Sequence, residues 1–430
     1  VSEGKRGWPL HTKIFVGLVL GALLGWICQV AFGADHAGLQ SWVKNVAQPV
    51  GRVFLNMIFM IVVPLLFSAL VLGVAEIGDA RKVGRIGLAS LGLTVLLSGI
   101  AVGVGLFAVN VVRPGEGIEN AQRERLMALY ATPSDDAKKR VEQAQGERTP
   151  VTIVDEVLTR NPLGSAVNAL EGGILGLMAF ALIFGLALSS VEAEKALPVR
   201  ALLEGLFAIS LRVIEFAMKF APIGVFALMF STAAVLGGDA FVALGKYAGL
   251  VLVALAFHLI VVYSVALRLI AKRNPWTFFR QIRQVMLTAF ATASSNATLP
   301  VALRSAEEDV GLPRDVSSFV LTVGATANQN GTALFEGITI LFLAQFFGVS
   351  LAMEQQLLVM GLAILAGVGT AGVPGGAWPM IAIILAKIGV PPEAIAICLG
   401  IDRILDMSRT VLNVTGDMTI AACVARMAKA

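Results

Sequence analysis

Six apolar runs, at 14–32, 51–75, 86–112, 172–190, 202–236 and 241–271, are each close to or longer than the stretch a helix needs to cross a bilayer. At 1.5 Å per residue, roughly 20 apolar residues cover the hydrocarbon core. Lipid offers no partner to backbone N–H and C=O groups, so a chain of such runs folds as an all-α integral membrane protein. Composition agrees: of 430 residues, 57% are hydrophobic and 14% charged, against about 45–50% and about 25% in ordinary soluble domains. The apolar excess faces lipid, which excludes a soluble enzyme, a disordered tail and a nucleic-acid module. The first run exceeds a signal-peptide core and lacks a cleavage site, so a retained span is expected.

Cys28, Cys398 and Cys423 are few and scattered, and no Cys/His cluster has metal-ligand spacing, so no disulfide framework and no cofactor are expected. His258, in an apolar run, is expected to be locally hydrogen-bonded rather than a ligand.

Beyond residue 271 the pattern changes. The stretch 278–310 is interrupted by Ser294, Ser295, Asn296 and Pro300; 316–347 carries Asn328, Gln329, Asn330 and Gly331 at its middle; 354–388 is split by GTAGVPGGAWP. Basic residues before the first span (Lys5, Arg6, Lys13), between the second and third (Arg81, Lys82, Arg85) and after the sixth (Arg268, Lys272, Arg273) fall on one side if each run crosses once. The Lys/Arg bias makes that side cytoplasmic. Arg304 and Arg314 then lie on it only if 278–310 dips in and returns. Arg426 and Lys429 do so only if 354–388 returns from outside. Eight spans and two re-entrant hairpins of opposite orientation are expected, with both termini cytoplasmic. The polar connection 113–162 holds seventeen charged residues of mixed sign and reads as a solvated external loop.

The last apolar segment carries the chemistry. Asp402, Asp406, Arg409, Asn413 and Asp417 recur at spacings of four, three, four and four, which at 100° per residue places them within about 80° of arc. An ionisable group at mid-bilayer costs roughly 2.5–3.5 kcal/mol on insertion scales. A stripe of them must therefore face a polar chamber within the protein; the alternative is a set of salt bridges that only holds helices together. The interrupted segments complement it. Half-helix N-termini at the ATASSNATLP and GTAGVPGGAWP tips can meet an anion, and carbonyls freed in the GATANQNGTALFEG turn can meet a cation. Discontinuous helices in matching halves mark a secondary transporter built from inverted repeats.

The NQNGT turn, the SSNATLP and GTAGVPG tips and the terminal DRILDMSRTVLNVTGD together resemble the dicarboxylate/amino acid:cation symporter family. The resemblance implies a homotrimer in a cytoplasmic membrane that moves substrate by an elevator motion. It implies scaffold and trimerisation spans mainly in 1–85 and 172–236, with a transport domain mainly in 86–112 and 241–430. Hairpin 1 would then occupy about 278–310 and hairpin 2 about 354–388. It implies that Arg409 pairs with a substrate side-chain carboxylate and that Asp406 accepts from the α-amino group. Asn413, Thr410 and Thr332 would bond the substrate's remaining polar atoms, and Ser294, Ser295 and the backbone at Val373 would close over it. An acidic amino acid satisfies both Asp406 and Arg409, which favours aspartate or glutamate over a plain C4-dicarboxylate; a neutral amino acid carrier and a gated anion channel stay open.

The departures from the family pattern bear on the coupling ion. Sodium-coupled members read Asn-Met-Asp-Gly-Thr where this chain has Asn328-Gln329-Asn330-Gly331-Thr332. The resemblance therefore implies that one sodium site has lost its carboxylate to Asn330, with Thr94 and Leu97 replacing two ligand positions and Ser98 retained. A second site keeps Gly324, Asn328, Asn413 and Asp417; a third would use backbone around Thr326 and 367–370, ending at Thr370. Glu336 occupies the position of a proton carrier in neuronal relatives, with a salt bridge to Arg403 as the alternative. H+ coupling or sodium independence is thus expected over Na+ symport.

Overall fold

The computed structural model describes residues 10–82, 84–118, 122–125, 158–169, 174–369 and 376–428. All regular structure among them is helical. Most of the 113–162 connection, together with Thr370 and Val373, lies outside the described residues.

The first half of the chain supplies α1 (Leu10–Phe32), α2 (Ala37–Trp42), α3 (Gln48–Phe59), α4 (Val62–Lys82), α5 (Arg85–Val112), α6 (Pro162–Val167), α7 (Ile174–Ser190) and α8 (Ala193–Leu236). Five described stretches are long and apolar enough to cross a membrane, including Ile86–Val112 and Phe241–Leu269. Large apolar side chains line their outer faces: Phe107 is 72% exposed, and Leu202, Ile209, Phe216 and Ile223 recur every seventh position along the exposed side of α8. Lipid accounts for such surfaces; water does not. The 44 residues of α8 run about 66 Å, roughly twice the hydrocarbon thickness, and include Pro198 and Pro222.

Packing within this half rests on small residues. Gly17, Gly21 and Gly25 form one stripe on α1, laid directly against the carbonyls of Pro222, Phe226 and Phe230 on α8. A Cβ at any of the three would enter that backbone. The four-residue spacing on both helices lets them close to van der Waals distance, the device membrane helices use where no hydrophobic drive separates helix from lipid. The three glycines thus pack against a helix of the same chain.

The second half continues with α9 (Asp239–Phe257), α10 (Tyr263–Leu269), α11 (Pro275–Gln281), α12 (Arg283–Thr292), α13 (Ser295–Glu308), α14 (Arg314–Ala327), α15 (Asn330–Phe346), α16 (Met353–Gly369), α17 (Trp378–Lys387), α18 (Ala396–Leu399) and α19 (Asp402–Ala428). The sixth expected span is not one regular helix: a π-turn over His258–Val262 separates α9 from α10. Neither ring nitrogen of His258 has a hydrogen-bond partner among the described residues, which corrects the expected local bond. Its ring instead meets Tyr263 edge-on, with centroids 4.9 Å apart.

Two of the expected interruptions are resolved. Ala293 adopts a left-handed backbone at φ 50° and ends α12; Ser294 caps α13, its Oγ accepting from the Ala297 amide at 3.2 Å. Asn328 and Gln329, both off the helical region, separate α14 from α15. Everything then converges on α19, which α5, α9, α10, α12, α13, α14 and α15 all contact. α15 is buried at every position but Gln345, and α19 nearly throughout from Leu405 to Ala425.

The glycine stripe gives a direct test. Gly21→Ala is expected to lower stability by about 1–3 kcal/mol, whereas Gly99→Ala, with open space where its Cβ would go, is near neutral. Thermal unfolding of the solubilised protein reads the difference.

Candidate functional site

The polar stripe of α19 turns inward as one face. Asp402, Asp406, Arg409, Asn413 and Asp417 are all 5% exposed or less. Arg409 is the centre of the upper part. Its Nε donates to Asp406 Oδ1 at 2.9 Å, Nη2 lies 2.9 Å from the same oxygen, and Nη1 lies 3.5 Å from Asp402 Oδ1 with no hydrogen bond. The guanidinium plane rests 4.4 Å from the Phe335 ring centroid, a cation–π contact. Glu336, fully buried on the next position of α15, is within coulombic reach of the same guanidinium. Arg403 approaches Asp406 at 4.0 Å. Asp406 Oδ2 is buried and has no hydrogen-bond partner among the described residues.

One turn further along, Asn413 joins α19 to the broken helix. Its Oδ1 accepts from the Gly331 and Thr332 amides at 2.7 and 3.3 Å. Its Nδ2 donates to Gln329 Oε1 at 2.5 Å and to Thr332 Oγ1 at 3.1 Å. The first amides of α15 have no intrahelical acceptor, so a side chain from another helix caps them. Thr410 sits beside Asn413 with its Oγ1 donating to the Asp406 carbonyl at 2.8 Å.

Below lies a second cluster. Asn328 Nδ2 donates to Asp417 Oδ1 at 2.7 Å, and Asn328 Oδ1 is buried with no partner among the described residues. Gly324 packs so closely on Asp417 Oδ1 that a Cβ there would collide with it. A cavity of about 40 Å³ adjoins them, lined by Thr94, Ser98, Gly324, Asn328 and Asp417 among others. A carboxylate, an unspent amide oxygen and neighbouring hydroxyls form an oxygen-only donor set, which suits a hard cation such as sodium.

Asn330 behaves differently. Ser98 Oγ donates to its Oδ1 at 2.5 Å, and its Nδ2 donates to Tyr263 Oη at 3.1 Å. Tyr263 Oη in turn donates to the Leu412 carbonyl at 3.1 Å. The amide uses both ends in a neutral chain of bonds, and the neighbouring Leu97 is a buried apolar residue.

The remaining expected residues fall around these groups. Ser295 is buried on α13 with its Oγ unpartnered among the described residues, and α12 and α13 both pack on α19. Thr326 donates to the Val323 carbonyl at 3.1 Å. Phe335, Tyr263 and Gln329 join the site without a clear signal in the sequence. An aromatic beside an acidic residue on a buried helix is the one local hint for Phe335. Tyr263 had none, because its partners lie 67 and 149 residues away.

Broken helices around a buried, charged helix, with ion pairs along that helix and a small cavity that Asp417, Asn328 and Ser98 border at one break, define a secondary membrane transporter. Comparison with known proteins agrees. The family model described as Sodium:dicarboxylate symporter family matches residues 10–427, and the chain belongs to that family. It is therefore a transporter and not an enzyme. It is 33% identical to the proton/sodium-glutamate symport protein of Bacillus subtilis (strain 168), covering 97% of this chain and 92% of the relative. It is 31% identical to the proton/glutamate-aspartate symporter of Escherichia coli (strain K12), covering 97% and 93%. A C4-dicarboxylate transport protein of Anaeromyxobacter sp. (strain K) is 29% identical, covering 97% and 89%.

Tyr263→Phe removes the hydroxyl that serves Asn330 and the Leu412 carbonyl. A loss of about 1–3 kcal/mol is expected, since the buried Asn330 amide loses its acceptor while the Leu412 carbonyl keeps its intrahelical bond. Thermal unfolding checks it.

Proposed function

We propose that this protein carries aspartate or glutamate across the cytoplasmic membrane together with protons. The observation that supports it best is the buried Arg409–Asp406 arrangement. The planar guanidinium, with Cζ over the Phe335 ring, suits a carboxylate, and Asp406 Oδ2, which has Arg403 at 4.0 Å but no hydrogen-bond donor among the described residues, suits an ammonium. A plain dicarboxylate would offer that oxygen no hydrogen-bond donor.

Charge counting supports a co-transported cation. Asp402, Asp406 and Glu336 carry three formal negative charges around the two positive charges of Arg403 and Arg409. An acidic amino acid adds one more negative charge to a site removed from water, and burying it uncompensated is strongly unfavourable. Glu336 is our proton carrier. Desolvation favours the neutral form of a carboxyl group in general, and its neighbour Arg409 is the proposed substrate ligand. The neutral Ser98–Asn330–Tyr263 chain supports a loss of sodium at that position. Sodium at Asp417 is the second reading, favoured by the unspent Asn328 oxygen.

In this reading the chain makes eight spans and two re-entrant hairpins of opposite orientation, and its termini are cytoplasmic. The α1–α3–α4–α7–α8 group serves as a static scaffold in a homotrimer. The helices gathered on α19 move as the elevator, with Ser294, Ser295 and Val373 at the hairpin tips closing the site. Thr326 and Thr370 belong to a further backbone cation site.

Arg409→Ala is expected to weaken aspartate binding by about 30-fold or more; unchanged affinity by calorimetry refutes the substrate assignment. For coupling, proteoliposomes receive sodium and pH gradients separately. A pH gradient alone is expected to drive uptake, and an absolute sodium requirement refutes it. Asn330→Asp is expected to make uptake more sodium-dependent, measured in the same vesicles.

A further inference from the structure

A second polar cavity, of about 360 Å³, opens where α5 and α15 end, remote from the α19 stripe. Its size falls in the range of small-molecule sites. Two arginines line it, Arg113 and Arg123, with Asn110, Gln356 and Ser350 between them. The carboxylate of Glu116 also lines it, 3.3 Å from Arg113 Nη1, while Arg123 has no ion pair among the described residues.

The local backbone is bent to hold these groups. Arg113 adopts φ 48° as the cap of α5, a left-handed conformation uncommon for a side chain with a Cβ. Its Nε donates to the Asn110 carbonyl at 3.2 Å. Gly348, at φ 73°, leaves room for the other guanidinium: a Cβ there would stand 3.2 Å from Arg123 Cδ and Nη1. Arg123 Nε is buried and has no acceptor among the described residues. A desolvated N–H on a charged group is unfavourable unless an acceptor meets it. The amides are committed elsewhere: Asn110 Nδ2 donates to Gln356 Oε1 at 2.7 Å, and Gln356 Nε2 donates to the Leu351 carbonyl at 3.1 Å. Among the described lining residues, the buried polar atom left without a partner is thus the Arg123 Nε, on a cation.

We propose that this cavity is a second binding site, distinct from the α19 site, for a small carboxylate anion. A bound carboxylate takes the fork of Arg123 and the free edge of Arg113, tying the end of α5 to the start of α16 through the Asn110–Gln356 bond. The site stands on its own geometry and does not depend on the substrate assigned to Arg409.

Ser350 is exposed on the rim. In a Cys28→Ser background, a Ser350→Cys thiol reports on the cavity, because Cys398 and Cys423 are buried. An anionic methanethiosulfonate reagent is expected to label it roughly tenfold faster than a cationic one of similar size. Succinate should slow the labelling and its neutral diamide should not. Protection should vanish in Arg123→Gln or Arg113→Gln and persist in Arg409→Ala. Equal labelling rates without succinate protection would overturn the proposal. So would protection that survives both cavity variants, or protection that disappears with Arg409→Ala, which would trace it to α19.

Discussion

A guanidinium and its carboxylates cannot sit in hydrocarbon, and the fold is arranged around that constraint. Arg409, Asp402, Asp406 and Asp417 lie on one face of one helix, so α19 has to be enclosed by protein along that face. Helices α5, α9, α10 and α12 to α15, with the short α18, pack against it. Several of them are fragments, which matters because an unbroken helix presents a surface whose backbone is fully bonded. Only at a break do amides and carbonyls become available to line a polar chamber, and only protein burial makes a break tolerable at this depth. The charged helix and the broken helices are thus one requirement seen from two sides.

Asn413 makes the link concrete. Its oxygen caps the first amides of α15 while its nitrogen reaches Gln329 and Thr332. The break therefore depends on the stripe as much as the stripe depends on the break. Asn330 shows the other outcome. A residue at the same break, bonded by Ser98 and Tyr263 at opposite ends of its amide, settles the local charge at zero. Two asparagines near one turn thus do different work. Asn413 offers contacts that a ligand could take over, whereas Asn330 is enclosed by bonds that need none.

Much of this could be read from the residues alone. The apolar runs located the long helices because length against bilayer thickness is a coarse and strong signal. The stripe could be read because 100° per residue is a fixed angle. The breaks at Ala293–Ser294 and Asn328–Gln329 fell within polar clusters that interrupt apolar runs. What could not be read depends on contacts distant in sequence or on irregular backbone. Nothing in FHLIVVY indicates a π-turn, and the expected hydrogen bond of His258 gives way to packing of its ring on Tyr263. The start of α8 was placed nine residues late because Pro198 and the charges around it mimic a helix end. The role of Phe335 follows only from the position of Arg409 over its ring.

The pairing of Arg409 with Asp406 bears on how such a site could exchange its occupant. Left alone, a buried cation and anion neutralise one another, and separating them is expensive. An acidic amino acid carries one ammonium and two carboxylates, so in the proposed reading it divides the pair without leaving either member bare. Its side-chain carboxylate meets Arg409 as its ammonium meets Asp406. Each broken contact is replaced by one of the same type, and the net electrostatic penalty of entry reduces to the single surplus carboxylate. That surplus is what a proton on a neighbouring acid would cancel. A neutral amino acid lacks the side-chain carboxylate and would separate the pair while satisfying only Asp406. In that reading the internal ion pair acts as a placeholder with the same charge pattern as the proposed guest, and selects for it by what it would cost any other to intrude.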